Sequence, residues 1–469
     1  VVKKEKMEFL TIGEIIDAAK GELIKGNREH LVSNITIDSR IVKKDDCYIA
    51  IVGKTLNGHN FGYEAIEKGA TTIIAHQLLE VLSPVNNLIK VKNTTRALGD
   101  IALYYRRKFT PRVVAITGSN GKTTTKEMIG HILHNKLKTV KAPNSFNNDI
   151  GVPLTVLNID SHTQALILEM EMNELGGIRR LCDIALPQIG VVTNIGDTHL
   201  EFLKDRDGVA QEKSELLESI ALFGTAVLNA DDELVMQIGD KYEYKDKITY
   251  GLGDHANIYA SDIKNLYESG TEFKLCGKYP VRLSVPGIYN IYNALAAVGV
   301  ARIFDIGYEE IVSLLTSFKL TSMRMERLNI HGIEIINDAY NANPQSMLAS
   351  LQTFAQFPSQ ERKVLILGDM LELGKKSKEL HKNVGKNLPD GMNLLVTVGK
   401  GAKFIAQQAK YAKKIEQILS FADAEEAANK LVDIIKINDK ILIKGSRAMK
   451  LEKIINKLKE YYDCKTKTS

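Results

Sequence analysis

Short, unbroken apolar runs punctuate this chain, and most are followed by glycine, asparagine or an acidic residue before a stretch of helical spacing begins. VVAIT, ALILEM, IGVVTNI and TAVLNA lie between Arg112 and about Leu320, each apolar at consecutive positions. Continuous apolar character fits strands of a parallel sheet covered on both faces. Between them, TTTKEMIGHIL carries Met128, Ile129, Ile132 and Leu133 at helical spacing, and GVAQEKSELLESI carries Val209, Leu216 and Ile220 on one face. After SFKLTSMRMER the same grammar returns in IEIINDAY, KVLILGDM, NLLVTVG and KILIKGSR. The opening third mixes shorter runs (ITIDSR, CYIAIVG, TTIIAH) with helical patterns such as FGYEAIEKGA. Its last helix, RALGDIALYYRRKF, stops at Thr110-Pro111, where proline disfavours helix at the residue before it. These textures predict an α/β protein of three domains, at 1–110, 111–320 and 321–469. The first is a smaller N-terminal α/β domain, the second a P-loop-type, mostly parallel sheet with flanking helices, the third a Rossmann-like α/β domain. The closing DCKTKTS is expected to fray.

Composition narrows the picture without redirecting it. A length of 469 residues suits roughly three domains. Hydrophobic content of 44% and charged content of 25% are those of an ordinary globular protein. The net charge of +5, from 62 basic and 57 acidic residues, is too thin to argue for a nucleic-acid partner; an anionic small molecule fits better. Cys47, Cys182, Cys276 and Cys464 lie far apart with no C-x-x-C, so neither zinc nor a disulfide framework is suggested, and a reducing cytoplasm is expected. The opening VVKKEKMEFL is basic but leads into no apolar stretch, so it does not read as a signal peptide. No run of ~18 apolar residues suggests a membrane span.

The chemically interesting residues fall just after the apolar runs, outside the carboxyl ends of the strands, where open α/β sheets hold ligands. In VVAITGSNGKTTTKEMI the usual G-x-x-x-x-G-K-[ST] spacing would need a glycine where Ile116 stands; the first glycine is Gly118. The loop Gly118, Ser119, Asn120, Gly121, Lys122, Thr123, Thr124 nevertheless opens a helix, where free backbone N–H groups favour phosphate. Gly118 and Gly121 let the backbone bend around the oxygens, Lys122 supplies charge to the β/γ-phosphates, and the Thr123 hydroxyl suits Mg²⁺. A chance Gly-Lys-Thr is the competing reading, and the strand before and helix after weigh against it. ALILEM delivers Glu169, and VVTNIGDTHLE delivers His199, to the same edge, as candidates for a metal set with Thr123. Lys213 falls on the apolar face of its helix; a snorkelling lysine is the plain reading. Burial favours a neutral amine, which can react with CO₂ to give a carbamate.

The shortened T-G-S-N-G-K-T-T loop resembles that of the Mur ligase family, ATP-dependent amide-forming ligases that build peptides onto UDP-sugars or folates. The likeness runs nearly end to end, through TIDSRIVKKDDCYIAIVGKTLNGHNFGYEAIEKGA, NSFNNDIGVPLTVL, PGIYNIYNALAA, MRMER, NDAYNANPQSM, LGDMLELG and KGSRAMKLE. The late motifs resemble the branch that adds a dipeptide. The resemblance implies UDP-N-acetylmuramoyl-tripeptide as donor, D-alanyl-D-alanine as acceptor, ATP with two Mg²⁺ ions, and an acyl-phosphate intermediate. It implies Ser39 and Arg40 at the uridine end, Asn144, Asn147 and Asn148 at the muramoyl peptide, Asn290 and Asn293 at adenine, Arg324 at an ATP phosphate and Asp338 at the ribose. Tyr340, Asn341, Asn343, Lys444 and Arg447 would face the cleft from the third domain. Lys122, Glu169, His199 and Lys213 would serve catalysis, with Lys213, as its carbamate, joining Thr123, Glu169 and His199 around magnesium.

Three departures from the family's usual text stand out: Glu169-Met170-Glu171 for E-x-G, Gly176-Gly177-Ile178 for G-E-I, and Tyr289 where histidine is frequent. The resemblance further implies a monomer whose third domain closes on the second about Leu320–Ser322. Three other readings stay open at this stage: a P-loop ATPase or nucleotide switch, a sister ligase adding a single amino acid, and a nucleotide-sugar binder without catalysis.

Overall fold

The computed structural model describes residues 7–468 apart from positions 78–81, 83, 321 and 359–360. The first residues of the basic opening and Thr321 of the expected hinge therefore lie outside the described residues. Each apolar run named above contains a strand, and the strands gather into three large sheets of five, nine and six strands.

In the nine-stranded sheet Arg112–Thr117 lies between Ala165–Glu169 and Ile189–Val192, all three parallel. The chain leaves Arg112–Thr117, visits the sheet edge at Thr139–Lys141, returns to Ala165–Glu169 and then crosses to Ile189–Val192 on the other side. The loops above Thr117 thus diverge at a topological switch point, the place where such sheets leave a ligand crevice. Beyond Thr225–Asn229 and Asp246–Leu252 the sheet stays parallel to Ile258–Asn265, then ends in an antiparallel hairpin.

The six-stranded sheet repeats the device. Lys440–Lys444 is inserted between Ile333–Asn337 and Lys363–Gly368, parallel to both, and Glu326–Ile330 adds the one antiparallel edge. Asp338 and Asp369 follow their strands and Lys444 ends its own, so this sheet also carries its polar residues at its carboxyl edge. The five-stranded sheet of the first domain is parallel from Ile35–Thr36 to Asn87–Lys90, with Glu22–Lys25 antiparallel at the end.

The cores are unequal. One apolar cluster runs without a break from Ile12 and Leu98 of the first domain to Leu168, Val192 and Leu216 of the second. At that junction the buried Arg106 donates to the carbonyls of Ala185, Phe109 and Pro111, and the Tyr105 hydroxyl donates to that of Ile159 at 2.7 Å. The third domain has separate clusters on its two sheet faces, with the partly buried Tyr289 and Leu320 of the central domain laid against one of them.

One expectation is corrected here. DCKTKTS does not fray after the last apolar residue: the closing helix runs Glu452–Thr468. No glycine or proline stops it, and Tyr462 anchors it, burying its ring and donating its hydroxyl to Ile435 O at 2.9 Å. Among the described residues no helix is long and apolar enough to cross a membrane.

Candidate active site

The phosphate-type loop is shaped by two glycines that nothing larger could replace. Gly118 (φ 138°) and Gly121 (φ 82°) adopt backbone angles side chains rarely tolerate. A Cβ on Gly118 would come 1.9 Å from Thr193 Oγ1, and one on Gly121 would come 2.3 Å from Asn293 Oδ1. The residues after Ile189–Val192 brace the loop: the Asn120 amide donates to Asn194 Oδ1 at 2.9 Å, and Thr193 Oγ1 donates to Asn120 O at 2.6 Å. Gly121 then caps the helix Lys122–Leu133, whose open N–H groups point into the crevice.

Beneath that loop lies a tight charge cluster. Lys122 Nζ donates to Gly118 O and to Glu171 Oε1, both at 2.7 Å. Thr123 Oγ1 donates to Glu169 Oε2 at 2.8 Å and accepts from Arg324 Nη2 at 2.8 Å. The Asn147 amide bridges the two carboxylates, 2.9 Å from Glu169 and 3.1 Å from Glu171. Burial would raise the Glu171 carboxyl, but Lys122 and His199 together hold it well below the usual carboxylate range. His199 is flanked by Glu171 at 3.2 Å and Glu372 at 2.6 Å. Burial lowers its pKa, and the two carboxylates outweigh that and leave it raised. Lys126, fully buried below, donates to Asn144 O at 2.6 Å; burial depresses its pKa against the pull of Glu169 and Glu127.

Lys213 and Glu212 are both fully buried, their charged groups 2.7 Å apart but without hydrogen-bonding geometry. Burial raises the Glu212 carboxyl despite that neighbour. An amine so placed is chemically incomplete: it has a charge partner and no hydrogen-bond acceptor.

The two carboxyl edges face each other across a cavity of about 410 Å³. Asn290 and Asn293 line one wall with the loop; Arg324, Asp338, Tyr340, Asn341, Asn343 and Lys444 line the other. The Arg324 guanidinium lies over the Tyr340 ring, 4.2 Å from its centre. Lys444 Nζ donates to Asp338 Oδ2 at 2.6 Å and Asn343 Nδ2 to Asn120 Oδ1 at 2.6 Å, so the third domain touches the loop itself. Asn147 and Glu169 also line this space; Asn144, Asn148, His199, Lys213 and Arg447 do not. Asn148 Oδ1 accepts from Gly151 N at 3.0 Å, and Arg447 pairs with Glu452 at 2.8 Å. Ser39 and Arg40 sit in the first domain, bonded to Glu64 and Asp38.

Comparison with known proteins fits this geometry. Residues 31–106, 116–301 and 323–447 match, in order, the Mur ligase family catalytic domain, the Mur ligase middle domain, and the Mur ligase glutamate ligase domain. The UDP-N-acetylmuramoyl-tripeptide–D-alanyl-D-alanine ligase of Bacillus subtilis (strain 168) is 34% identical over 456 residues, 96% of this chain and 98% of that one. The chain belongs to the Mur ligase family. A crystal structure of MurF from Acinetobacter baumannii superposes with a TM-score of 0.86 at 28% identity, covering 97% of this Mur ligase and 99% of that chain. MurF ligase from Thermotoga maritima, in complex with ADP, gives 0.79 at 28% identity over 92% and 98%.

Some residues of this Mur ligase's cluster escape sequence reasoning. Glu171 was visible only as a departure from family text, yet it joins Lys122, Asn147 and His199. Thr193 and Asn194 directly follow an apolar run, and that position was the available signal. Glu372 lay inside the quoted motif LGDMLELG without being singled out; Lys126 carried no signal, on a helix face that looks solvent-directed until the fold is known.

Proposed function

We propose that this chain is an ATP-dependent carbon–nitrogen ligase that joins D-alanyl-D-alanine to UDP-N-acetylmuramoyl-tripeptide, giving the UDP-linked pentapeptide, ADP and phosphate for peptidoglycan precursor synthesis. The observation that carries the reading is the convergence on Thr123 of Glu169 from the central sheet and Arg324 from the third domain, at the head of a phosphate-type loop. The first 110 residues hold the uridine end through Ser39 and Arg40, residues 111–320 hold ATP, and residues 321–469 bring the acceptor and close the site in the cytoplasm. Nearly end-to-end likeness to ligases of that name supports the choice of substrates.

Joining a carboxylate to an amine in water is uphill, so the acid must be activated. A tripeptide carboxylate oxygen attacks the γ-phosphorus of ATP and ADP leaves. The neutral amine of D-alanyl-D-alanine then attacks the acyl carbon, the tetrahedral intermediate expels phosphate, and the ammonium proton is lost to base. Lys122 and Arg324 face the oxygens on which charge develops, and the loop amides hold the β/γ-phosphates. Asn290 and Asn293 take the adenine, Asp338 the ribose, and Asn144, Asn147 and Asn148 the muramoyl peptide. Tyr340, Asn341, Asn343, Lys444 and Arg447 steer the acceptor. Holding the reactants in line is worth roughly 7–11 kcal/mol.

The hard oxygens of Thr123 and Glu169 suit Mg²⁺. Among the described residues no three His, Cys, Asp or Glu side chains form a ready-made metal site. Thr123 and Glu169 would hold magnesium brought with ATP, and the metal would neutralise phosphate charge. A carbamate on Lys213 would extend the set, and the orphaned Lys213 amine supports that modification; His199, expected in the set, has both ring nitrogens against carboxylates here. ADP release is measured with UDP-muramoyl-tripeptide against a panel of amino acids and dipeptides. Turnover only with D-alanyl-D-alanine is expected; ATP consumption at full rate without acceptor, or turnover with a single amino acid, refutes it.

A further inference from the structure

Four side chains run in series from the third domain to the phosphate loop. Glu372 Oε2 lies 2.6 Å from His199 Nδ1, and His199 Nε2 lies 3.2 Å from Glu171 Oε1. The same Glu171 oxygen accepts from Lys122 Nζ at 2.7 Å, and a second ammonium proton holds Gly118 O. Glu372 belongs to LGDMLELG, in the loop after Lys363–Gly368, and the reaction as derived gives it no task.

The seat beneath Glu372 is built, not incidental. His199 (φ 53°) and Glu372 (φ 61°) both hold left-handed backbone angles that cost residues with side chains free energy. They face each other, and the Glu201 amide beside His199 donates to Glu372 O at 3.1 Å. Gly374 makes the approach possible, since a Cβ there would come 2.9 Å from Glu201 Cα. The His199 hydrogen bond, and then its charge, hold the Glu372 carboxyl below its ordinary range, and Lys54 of the first domain adds to that pull. The second and third domains therefore meet at one half-exposed carboxylate. A surface ion pair would have little energetic consequence; this one lies against an imidazole that is itself wedged onto the partner of the loop lysine.

We propose that Glu372 is a positioning residue for phosphoryl transfer: seated on the central domain, it fixes the His199 imidazole and, through Glu171, holds Lys122 where the transferring group passes. A carboxylate at one ring nitrogen fixes the orientation in which the other nitrogen meets its own partner. Because this carboxylate arrives from the third domain, the imidazole is oriented only when that domain is seated, which keeps ATP from reacting in an open enzyme. The proposal rests on the ligase reading above.

Glu372→Gln and Glu372→Asp are assayed as full-length chains with all three substrates. Removing such an orienting carboxylate is expected to lower kcat of Glu372→Gln about 10–100-fold with KM for ATP nearly unchanged, and Glu372→Asp restores part of the loss. On a His199→Gln background, Glu372→Gln costs less than about twofold more, since residues acting as one unit are not additive. Amide hydrogen exchange over residues 199–204 quickens in Glu372→Gln while that of the helix Thr94–Arg106 stays as in the parent, a readout needing no turnover. A parent-like kcat, a raised KM for ATP at constant kcat, or losses fully additive with His199→Gln overturn the proposal. Should the unmodified chain form no amide with any acceptor, the ligase reading falls; unchanged exchange over 199–204 sinks the positioning role alone.

Discussion

The two joints of this molecule are made of opposite materials. First and second domains share one apolar cluster, closed by Leu98, Tyr105 and the buried guanidinium of Arg106. Second and third domains, apart from the apolar contacts of Tyr289 and Leu320, meet through side-chain hydrogen bonds and ion pairs: Asn343 to Asn120, Arg324 to Thr123, Glu372 to His199, and Lys440 to Glu268. An apolar joint loses its burial when it opens, because water offers nothing in return. Polar groups exchange one partner for water and lose little, so a polar interface between domains is expected to open and close. The catalytic cluster lies wholly under the second kind of joint, which gives substrates entry and excludes water once closed.

Breaking the polar joint at its centre should therefore stop chemistry and leave stability alone. Arg324→Ala removes the one guanidinium that crosses to Thr123. It is expected to lower kcat by up to about 10³-fold, on the scale of a lost transition-state donor. The urea midpoint stays at the parent value. A comparable fall in the midpoint would mean that this joint, too, is structural.

The converse cut is in the apolar joint. Leu98 is fully buried in the shared cluster, and Leu98→Ala should destabilise the chain by about 2–5 kcal/mol. Its folded fraction should keep parent kcat. Loss of turnover without loss of stability would show that the first joint also moves during the reaction.

Acid sharpens the contrast within the third domain. His381 is fully buried; its Nδ1 donates to Ser377 O at 2.7 Å and its Nε2 accepts from Met370 N at 3.0 Å. That arrangement requires neutral imidazole, and burial lowers its pKa below the ordinary value. The unfolded chain binds the proton first, so stability is full above about pH 6.5 and declines as pH falls below it. His381→Gln should flatten the acid slope in urea titrations at successive pH values; a slope unchanged by the substitution assigns it elsewhere.

Much of this was legible because parallel strands are apolar throughout and deliver their polar residues at one end. That rule pointed to Lys122 and Glu169, and it would have located Asn194; Asp338 and Lys444 came from the resemblance and lie at strand ends too. What stayed hidden depends on backbone placement between elements. Glu171 lies two residues past its strand, Glu372 takes a left-handed angle in a loop, and Asn148, expected at the muramoyl peptide, turns its side chain back to Ile150 N and Gly151 N. The helical tail was missed for a different reason: a lysine- and threonine-rich stretch is neutral in propensity, and the buried Tyr462 decides it.

The smallest effect is expected where one residue serves both purposes. Asn343 Oδ1 accepts from Ser346 N at 2.9 Å and so caps the helix Pro344–Gln356, while its Nδ2 reaches Asn120 across the polar joint. Asn343→Ala loses both bonds; the lost cap alone should lower stability by about 0.5–2 kcal/mol. Asn343→Asp keeps an oxygen for the cap and a charge favoured at a helix start, but it has no amide proton for Asn120. Its stability should match the parent, while KM for ATP rises by about threefold to tenfold, the equivalent of one hydrogen bond of roughly 0.5–1.5 kcal/mol. Small-angle scattering with ATP bound should show a more open molecule for Asn343→Asp than for the parent. Parent-like KM and scattering in Asn343→Asp would mean that this contact follows closure without contributing to it, and the polar joint would then rest on Arg324, Glu372 and Lys440.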